Sequence, residues 1–336
     1  MTMQSAAVAP MTKRERMLHA MHNEPVDHVP VGFWFHFDRE HSEGEANVKA
    51  HLDFYRQTDL DFVKIMCDGF FAYPVARDIV ERRAWDEIRP LSADDPWIRG
   101  QVERAKAIVE AIGGERCVFY NVFQPFSSFR FSLEPYGQSS PEATRYLKED
   151  PIGVMRAMDA IAQSNALLTE LLIREAGCDG VYYCVQGGEY DRFTEREYRT
   201  WIAPSDLYVL EHANRFSENN ILHMCGWGGN RNRLELWKDY PARTMNWAVF
   251  VEGLDLIEGR SFFGGKSCMG GFETHWDGNG HRGVIYDGTK DEVRAYTRDL
   301  ILDHGKRGLI LGGDCTVDAK LDWERMRWVV EAARSL

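Results

Sequence analysis

Eight short apolar runs, each followed by a stretch of helical character, organise this chain. The runs are Val29–Phe37, Phe62–Met66, Cys117–Phe123, Gly180–Cys184, Asn220–Cys225, Arg243–Trp247, Lys266–Met269 and Gly308–Gly312. The helical stretches are His51–Thr58, Pro96–Ile112, Pro151–Ala176, Thr194–Asn214, Asn230–Trp237, Gly253–Gly259, Thr289–Gly305 and Asp322–Ala333. Strands alternating with helices imply parallel βαβ units, because a parallel neighbour is reached only through a crossover. Eight such units fit a closed (β/α)8 TIM barrel, an α/β fold of about 250 residues or more. The competing arrangement is an open doubly wound sheet. No Gly-x-Gly-x-x-Gly turn follows the first run, and the count of eight favours closure.

One further helix is expected ahead of the barrel, over Thr12–His22. Thr12 serves as its N-cap, Glu15 completes a capping box, and Met17, Leu18 and Met21 form the apolar stripe. Residues 1–11 are expected to form a flexible N-terminal tail. Residues 12–336 then form one barrel domain, since no linker or low-complexity break divides them. Hydrophobic residues make up 44% of the chain and aromatic residues 12%, enough for a single large core. The formal net charge of −12 argues against binding to nucleic acid or to an anionic membrane surface. A membrane span needs about 18 consecutive apolar residues, and the chain has no such run. Seven scattered cysteines, an odd number, fit reduced thiols and a cytoplasmic location. A homo-oligomer is compatible with all of this.

In a barrel of this kind the chemistry sits at the C-terminal strand ends. Those ends supply Trp34, His36, Asp68, Asn121, Tyr183, Gln186, His223, Cys225, Asn246, Asp314 and Cys315 as candidates. His223 and Cys225 are two residues apart, so on an extended strand they face the same way, about 6 to 7 Å apart. Imidazole and thiolate are a soft, zinc-like ligand pair. Cys315 follows Gly312-Gly313 at the last strand end and could supply a third ligand. Three protein ligands would leave one coordination position for substrate, as in catalytic zinc sites. The plainer alternative is a set of buried thiols and a core histidine.

Several motifs resemble the uroporphyrinogen decarboxylase superfamily. They are Lys13-Arg-Glu-Arg16, Asn23-Glu-Pro-Val-Asp-His-Val-Pro30, His223-x-Cys225-Gly226, Met269-Gly-Gly271, Asp287-Gly-Thr289 and Gly312-Gly-Asp-Cys315. The likeness spans roughly residues 12 to 335 and implies the same (β/α)8 barrel. The His-x-Cys pattern with a distant Cys is similar to the zinc-dependent branch, such as methylcobalamin:coenzyme M methyltransferases. That resemblance implies zinc on His223, Cys225 and Cys315, and methyl transfer between a corrinoid, or another donor, and a zinc-activated thiol. An acidic side chain can complete the zinc shell in that branch, but the sixth run ends in Asn246-Trp247 and offers none. No corrinoid-binding Asp-x-His-x-x-Gly sequence occurs, so a corrinoid would arrive on a separate protein.

The alternative is a decarboxylase-like lyase acting on a carboxylic acid. Asp68, in Met66-Cys-Asp-Gly69, falls where that branch has its catalytic aspartate. A non-catalytic barrel binding a corrinoid or tetrapyrrole is a third reading. Asp68 and His36 are the candidate catalytic residues, the latter orienting substrate. Trp34, Asn121, Tyr183, Gln186 and Arg282 are the candidate substrate contacts. Trp34, Phe35, Phe37, Phe70, Phe71 and Tyr183 are expected to wall the barrel mouth. The polar excursion from Gly271 to Gly288, with His275, Trp276, His281 and Arg282, has the length of a recognition loop, and Arg282 suits an anionic group.

Overall fold

The computed structural model describes residues 9–134, 141–226, 228–275 and 282–336. All eight runs become parallel strands: β1 (Val31–Gly32), β2 (Phe62–Ile65), β3 (Cys117–Phe123), β4 (Gly180–Val185), β5 (Ile221–Met224), β6 (Thr244–Trp247), β7 (Ser267–Phe272) and β8 (Leu309–Gly313). Their order is β1-β8-β7-β6-β5-β4-β3-β2, so from β2 onward chain neighbours are sheet neighbours and the last strand pairs with the first. With helices crossing between the strands, this is the expected (β/α)8 barrel.

The seam between β1 and β2 closes through one residue. Asp61 N donates to Val31 O at 2.8 Å, and Val31 N donates to Asp61 Oδ2 at 2.8 Å. Arg16 holds the other oxygen, Oδ1, at 2.7 Å and reaches Asp27 as well. Arg16 and Asp61 are both buried. Gly32 is required at this seam, since a Cβ there would lie 2.0 Å from the Phe62 ring. Arg16 belongs to the N-terminal helix Lys13–Met21, whose Thr12–Glu15 capping box forms as expected. Arg14 of the same helix pairs with Asp179, just ahead of β4, so the helix packs at the N-terminal end of the barrel. Met11, assigned to the tail, is tied down by its N–H on Asp27 at 3.0 Å; residues 1–8 lie outside the described residues.

Several elements differ from expectation. The first run keeps only Val31 and Gly32 in the ladder, and beyond them Trp34 O accepts from Val317 N at 2.9 Å. The helix expected at His51 starts earlier, giving Gly44–Thr58. Asn230–Trp237 is not a helix beyond the single turn Leu234–Leu236. Its backbone is used instead in a bridge between Asn232 and Glu189, and Asn232 N donates to Glu252 at 2.8 Å. Helices Arg77–Arg82, Pro125–Leu133 and Glu142–Glu149 were not anticipated. Pro125–Leu133 is buried on nearly every side, so it lacks the polar stripe that marks a surface helix. Among the described residues no helix is long and apolar enough to cross a membrane.

Candidate metal centre

β5 brings His223 into the barrel at its C-terminal end, and Cys225 follows on the same face. Cys225 N donates to Val185 O at 3.1 Å, which extends the strand pairing past β5 and fixes where the thiol sits. Cys315 arrives from the turn after β8. Gly313 makes that turn possible, because a Cβ there would lie 2.5 Å from the Cys315 carbonyl oxygen. Cys315 N then donates to Thr274 Oγ1 at 3.0 Å, anchoring the turn to the segment after β7.

The three side chains converge. The two Sγ atoms are 4.0 Å apart, and Cys315 Sγ lies 3.6 Å from His223 Nε2. All three ligand atoms fall within 4.8 Å of one another. Tetrahedral zinc, with bonds of about 2.0 to 2.3 Å, needs ligand atoms roughly 3.5 to 4 Å apart. The triad is close to that spacing already.

Asn246 sets the tautomer of the histidine. Its Nδ2 donates to Met269 O at 2.9 Å and to Gly313 O at 3.3 Å, so its Oδ1 can only accept. That oxygen is hydrogen-bonded to His223 Nδ1 and accepts from Tyr182 OH at 2.6 Å. His223 therefore carries its proton on Nδ1, and the lone pair of Nε2 faces the two thiols. This is the arrangement a metal-binding histidine needs. The mutual contact of the two thiols favours a single thiolate shared by the pair, while burial raises both. The residues present thus suit a soft divalent ion such as zinc.

A cavity of about 340 Å³ opens beside Cys315, lined among others by Ala248, Thr274, His275, Arg282 and Tyr286. Arg282 lies 3.7 Å from Asp318 and stacks on Tyr286 at 4.4 Å. The excursion thus brings Arg282 to the cavity wall, whereas Trp276 and His281 lie outside the described residues. A larger groove of about 810 Å³ lies between helices Gly44–Thr58 and Glu324–Arg334, and it shares no residue with the triad.

His36 and Asp68 meet as a pair: Nδ1 is 2.7 Å from Asp68 Oδ1, and Phe37 N donates to Oδ2 at 3.0 Å. Asp68 is buried, with both oxygens engaged. Trp34 faces inward, its ring 5.2 Å from that of Tyr182. Asn121 bridges two thiols inside the barrel, donating to Cys67 at 3.2 Å and accepting from Cys184 at 3.1 Å. Gln186 accepts from Arg130 at 2.7 Å and from Ser127 at 3.1 Å.

Tyr183 requires correction. Strand alternation puts Tyr182 and Cys184 inside, so Tyr183 points outward, where its electrostatic neighbours are Asp206 and Tyr240. Phe35 and Phe37 do not wall the mouth either. They pack on Phe54 and His51 of the helix Gly44–Thr58. Phe70 packs under Arg104. Of the aromatic set, Trp34 and Phe71 remain near the site, the latter against His36 at 5.4 Å. Tyr182, Lys64 and Thr274 were missed. The period-two rule applied backwards from Cys184 would have found Tyr182.

Fold and triad together define a (β/α)8 barrel with a candidate set of soft metal ligands at the C-terminal strand ends. Residues 72–336 match the family model described as uroporphyrinogen decarboxylase (URO-D), and the chain belongs to that family. Among solved structures it is similar to a methyltransferase from Methanosarcina mazei, with 16% identity and a TM-score of 0.70 over 97% of this chain and 99% of the other. It is also similar to a B12-independent methionine synthase from Shewanella sp. W3-18-1, with 12% identity and a TM-score of 0.60 over 92% and 97% of the two chains. No curated protein matches it by sequence.

Proposed function

We propose that this protein is a zinc-dependent methyltransferase that moves a methyl group between a donor and a thiol substrate. The observation that carries the reading is the triad itself: His223, Cys225 and Cys315 converge, with the histidine lone pair aimed at the thiols, beside an open cavity. Zinc, when bound there, would hold a substrate sulfur as thiolate at neutral pH while leaving it nucleophilic. The chain's own residues do the rest. Asn246 keeps the imidazole in the ligating tautomer, and Thr274 fixes the Cys315 turn. Arg282, on the cavity wall, is the residue we assign to an anionic group of the substrate. Asp68 orients His36 through its Nδ1.

One structural relative named above is described as a methyltransferase and the other as a methionine synthase, which supports the class of reaction. One is described as B12-independent, so the donor is either a corrinoid carried by a separate protein or a corrinoid-free compound.

The family name favours a second reading, a carboxy-lyase using Asp68. Against it, both oxygens of Asp68 are committed to His36 and to Phe37 N.

Elemental analysis of the purified protein, followed by a thiol-methylation screen with methylcobalamin and other methyl donors, tests the proposal. About one zinc per chain is expected, lost in the Cys225→Ser/Cys315→Ser double variant, with methylated thiol as product. Protein without zinc, or a double variant that keeps it, would overturn the reading. Release of CO2 from a carboxylic acid, abolished by Asp68→Asn, would establish the lyase instead.

A further inference from the structure

β2 carries a lysine into the barrel interior. Lys64 is 2% exposed, and its ammonium lies 3.7 Å from the ring centroid of Tyr182 and 4.6 Å from that of Trp34. Among the described residues no carboxylate is within 4 Å of it. A buried cation without a counter-ion is costly, and two aromatic faces offset only part of that cost. Something else must repay the burial.

The contacts of Tyr182 show where. Its ring is 5.5 Å from the His223 ring, and its hydroxyl donates to Asn246 Oδ1, the atom bonded to His223 Nδ1. Lys64 therefore packs directly behind the ligand set. Its charge is felt by Cys315, and burial lowers its own affinity for a proton while the neighbouring thiols raise it.

Charge counting supplies the role. A divalent ion held by one neutral imidazole and two thiolates has no net charge. A substrate that binds as a thiolate adds one negative charge to a buried site, and a fixed positive charge nearby compensates it. We infer that Lys64 is a positioning residue that selects an anionic sulfur ligand over a neutral one at the His223–Cys225–Cys315 site. The inference rests on the metal-site reading above.

The test uses full-length protein loaded with cobalt(II), whose d–d and sulfur-to-metal charge-transfer bands report the ligand set independently of turnover. Wild type, Lys64→Met and Lys64→Gln are titrated with 2-mercaptoethanol, which binds as a thiolate, and with imidazole, which binds neutral. In both variants thiolate binding is expected to weaken on the order of tenfold or more, with imidazole binding unchanged within about twofold. Equal thiolate affinity in wild type and in either folded variant overturns the role of Lys64 and leaves the metal site standing. Equal weakening for both ligands also overturns it, since that is the mark of general disruption. Wild-type protein that takes up no cobalt overturns the metal reading and this inference with it. If neither variant folds, Lys64→Arg decides, because retained charge is expected to retain the preference for thiolate, and loss of that preference refutes the role.

Discussion

Asn246 acts on the candidate ligand set through His223 rather than as a ligand itself. Replacing it by Leu removes the acceptor for His223 Nδ1–H, freeing the ring to take the wrong tautomer. Zinc affinity, measured by competition with a chromophoric chelator, is expected to fall about 10- to 100-fold in Asn246→Leu. Unchanged affinity would refute this role. His51 supports the end of β2 in a similar way. Its Nδ1 is 2.9 Å from Asn47 O, and its Nε2 accepts from Met66 N at 3.0 Å, so it must be neutral in the fold. Burial pushes it down to about 4 from the ordinary 6.5. The unfolded chain then binds more protons than the folded one between those values, so stability is full above pH 6.5 and is lost as pH falls through 4. The loss attributable to this residue approaches roughly 3 kcal/mol at the acid end. His51→Gln is expected to shrink the fall in urea midpoint between about pH 7 and pH 5. An identical fall in both proteins would remove His51 from the account.

At the scale of elements, the weak point of the barrel is the β1–β2 seam. Every other neighbouring pair of strands has a regular ladder, whereas this one depends on Asp61 bridging to Val31 and on Arg16 holding Asp61. Arg16→Met strands a buried carboxylate. Breaking a buried pair in this way costs about 3 to 5 kcal/mol, to be read from urea unfolding. A loss under about 1 kcal/mol would show that the seam is held by packing alone. The capping boxes on Thr12 and Thr194 were legible because they are local: a side chain bonds a backbone group three residues away. The helix Pro125–Leu133 was not, because it is buried on most of its surface and the 3.6-residue stripe vanishes.

At the scale of the whole molecule, an ion bound at the triad would be coupled to stability. His223 and Cys225 come from β5 and Cys315 from the turn after β8, so a bound ion cross-links segments 90 residues apart. A ligand that binds only the folded state stabilises it by about 2.7 kcal/mol at a hundredfold excess over its Kd. For a chain of this size that corresponds to a rise in Tm of several degrees. Chelation is therefore expected to lower the Tm of the wild type and to leave the Cys225→Ser/Cys315→Ser variant unmoved. A wild-type Tm indifferent to chelator would argue that the triad holds no ion in solution.

By itself, the sequence pointed to the barrel, through eight alternations and the lack of the glycine-rich turn that a doubly wound sheet would carry, and it marked His223, Cys225 and Cys315 by residue type and by position at strand ends. Only the tertiary structure decided which way the intervening residues face. Both faces of a barrel strand are buried, one in the lumen and one under helices, so hydrophobicity does not distinguish inside from outside. That is why Tyr183 read as a pocket residue and proved to point outward, with Tyr182 taking the inner place. It is also why Lys64, a charge within an apolar strand, gave no sign that it lies inside. Closure of the sheet brought Cys315 back to His223, and the hydrogen bonds of Asn246 gave that histidine its ligating face. These are through-space relations, and no local pattern encodes them.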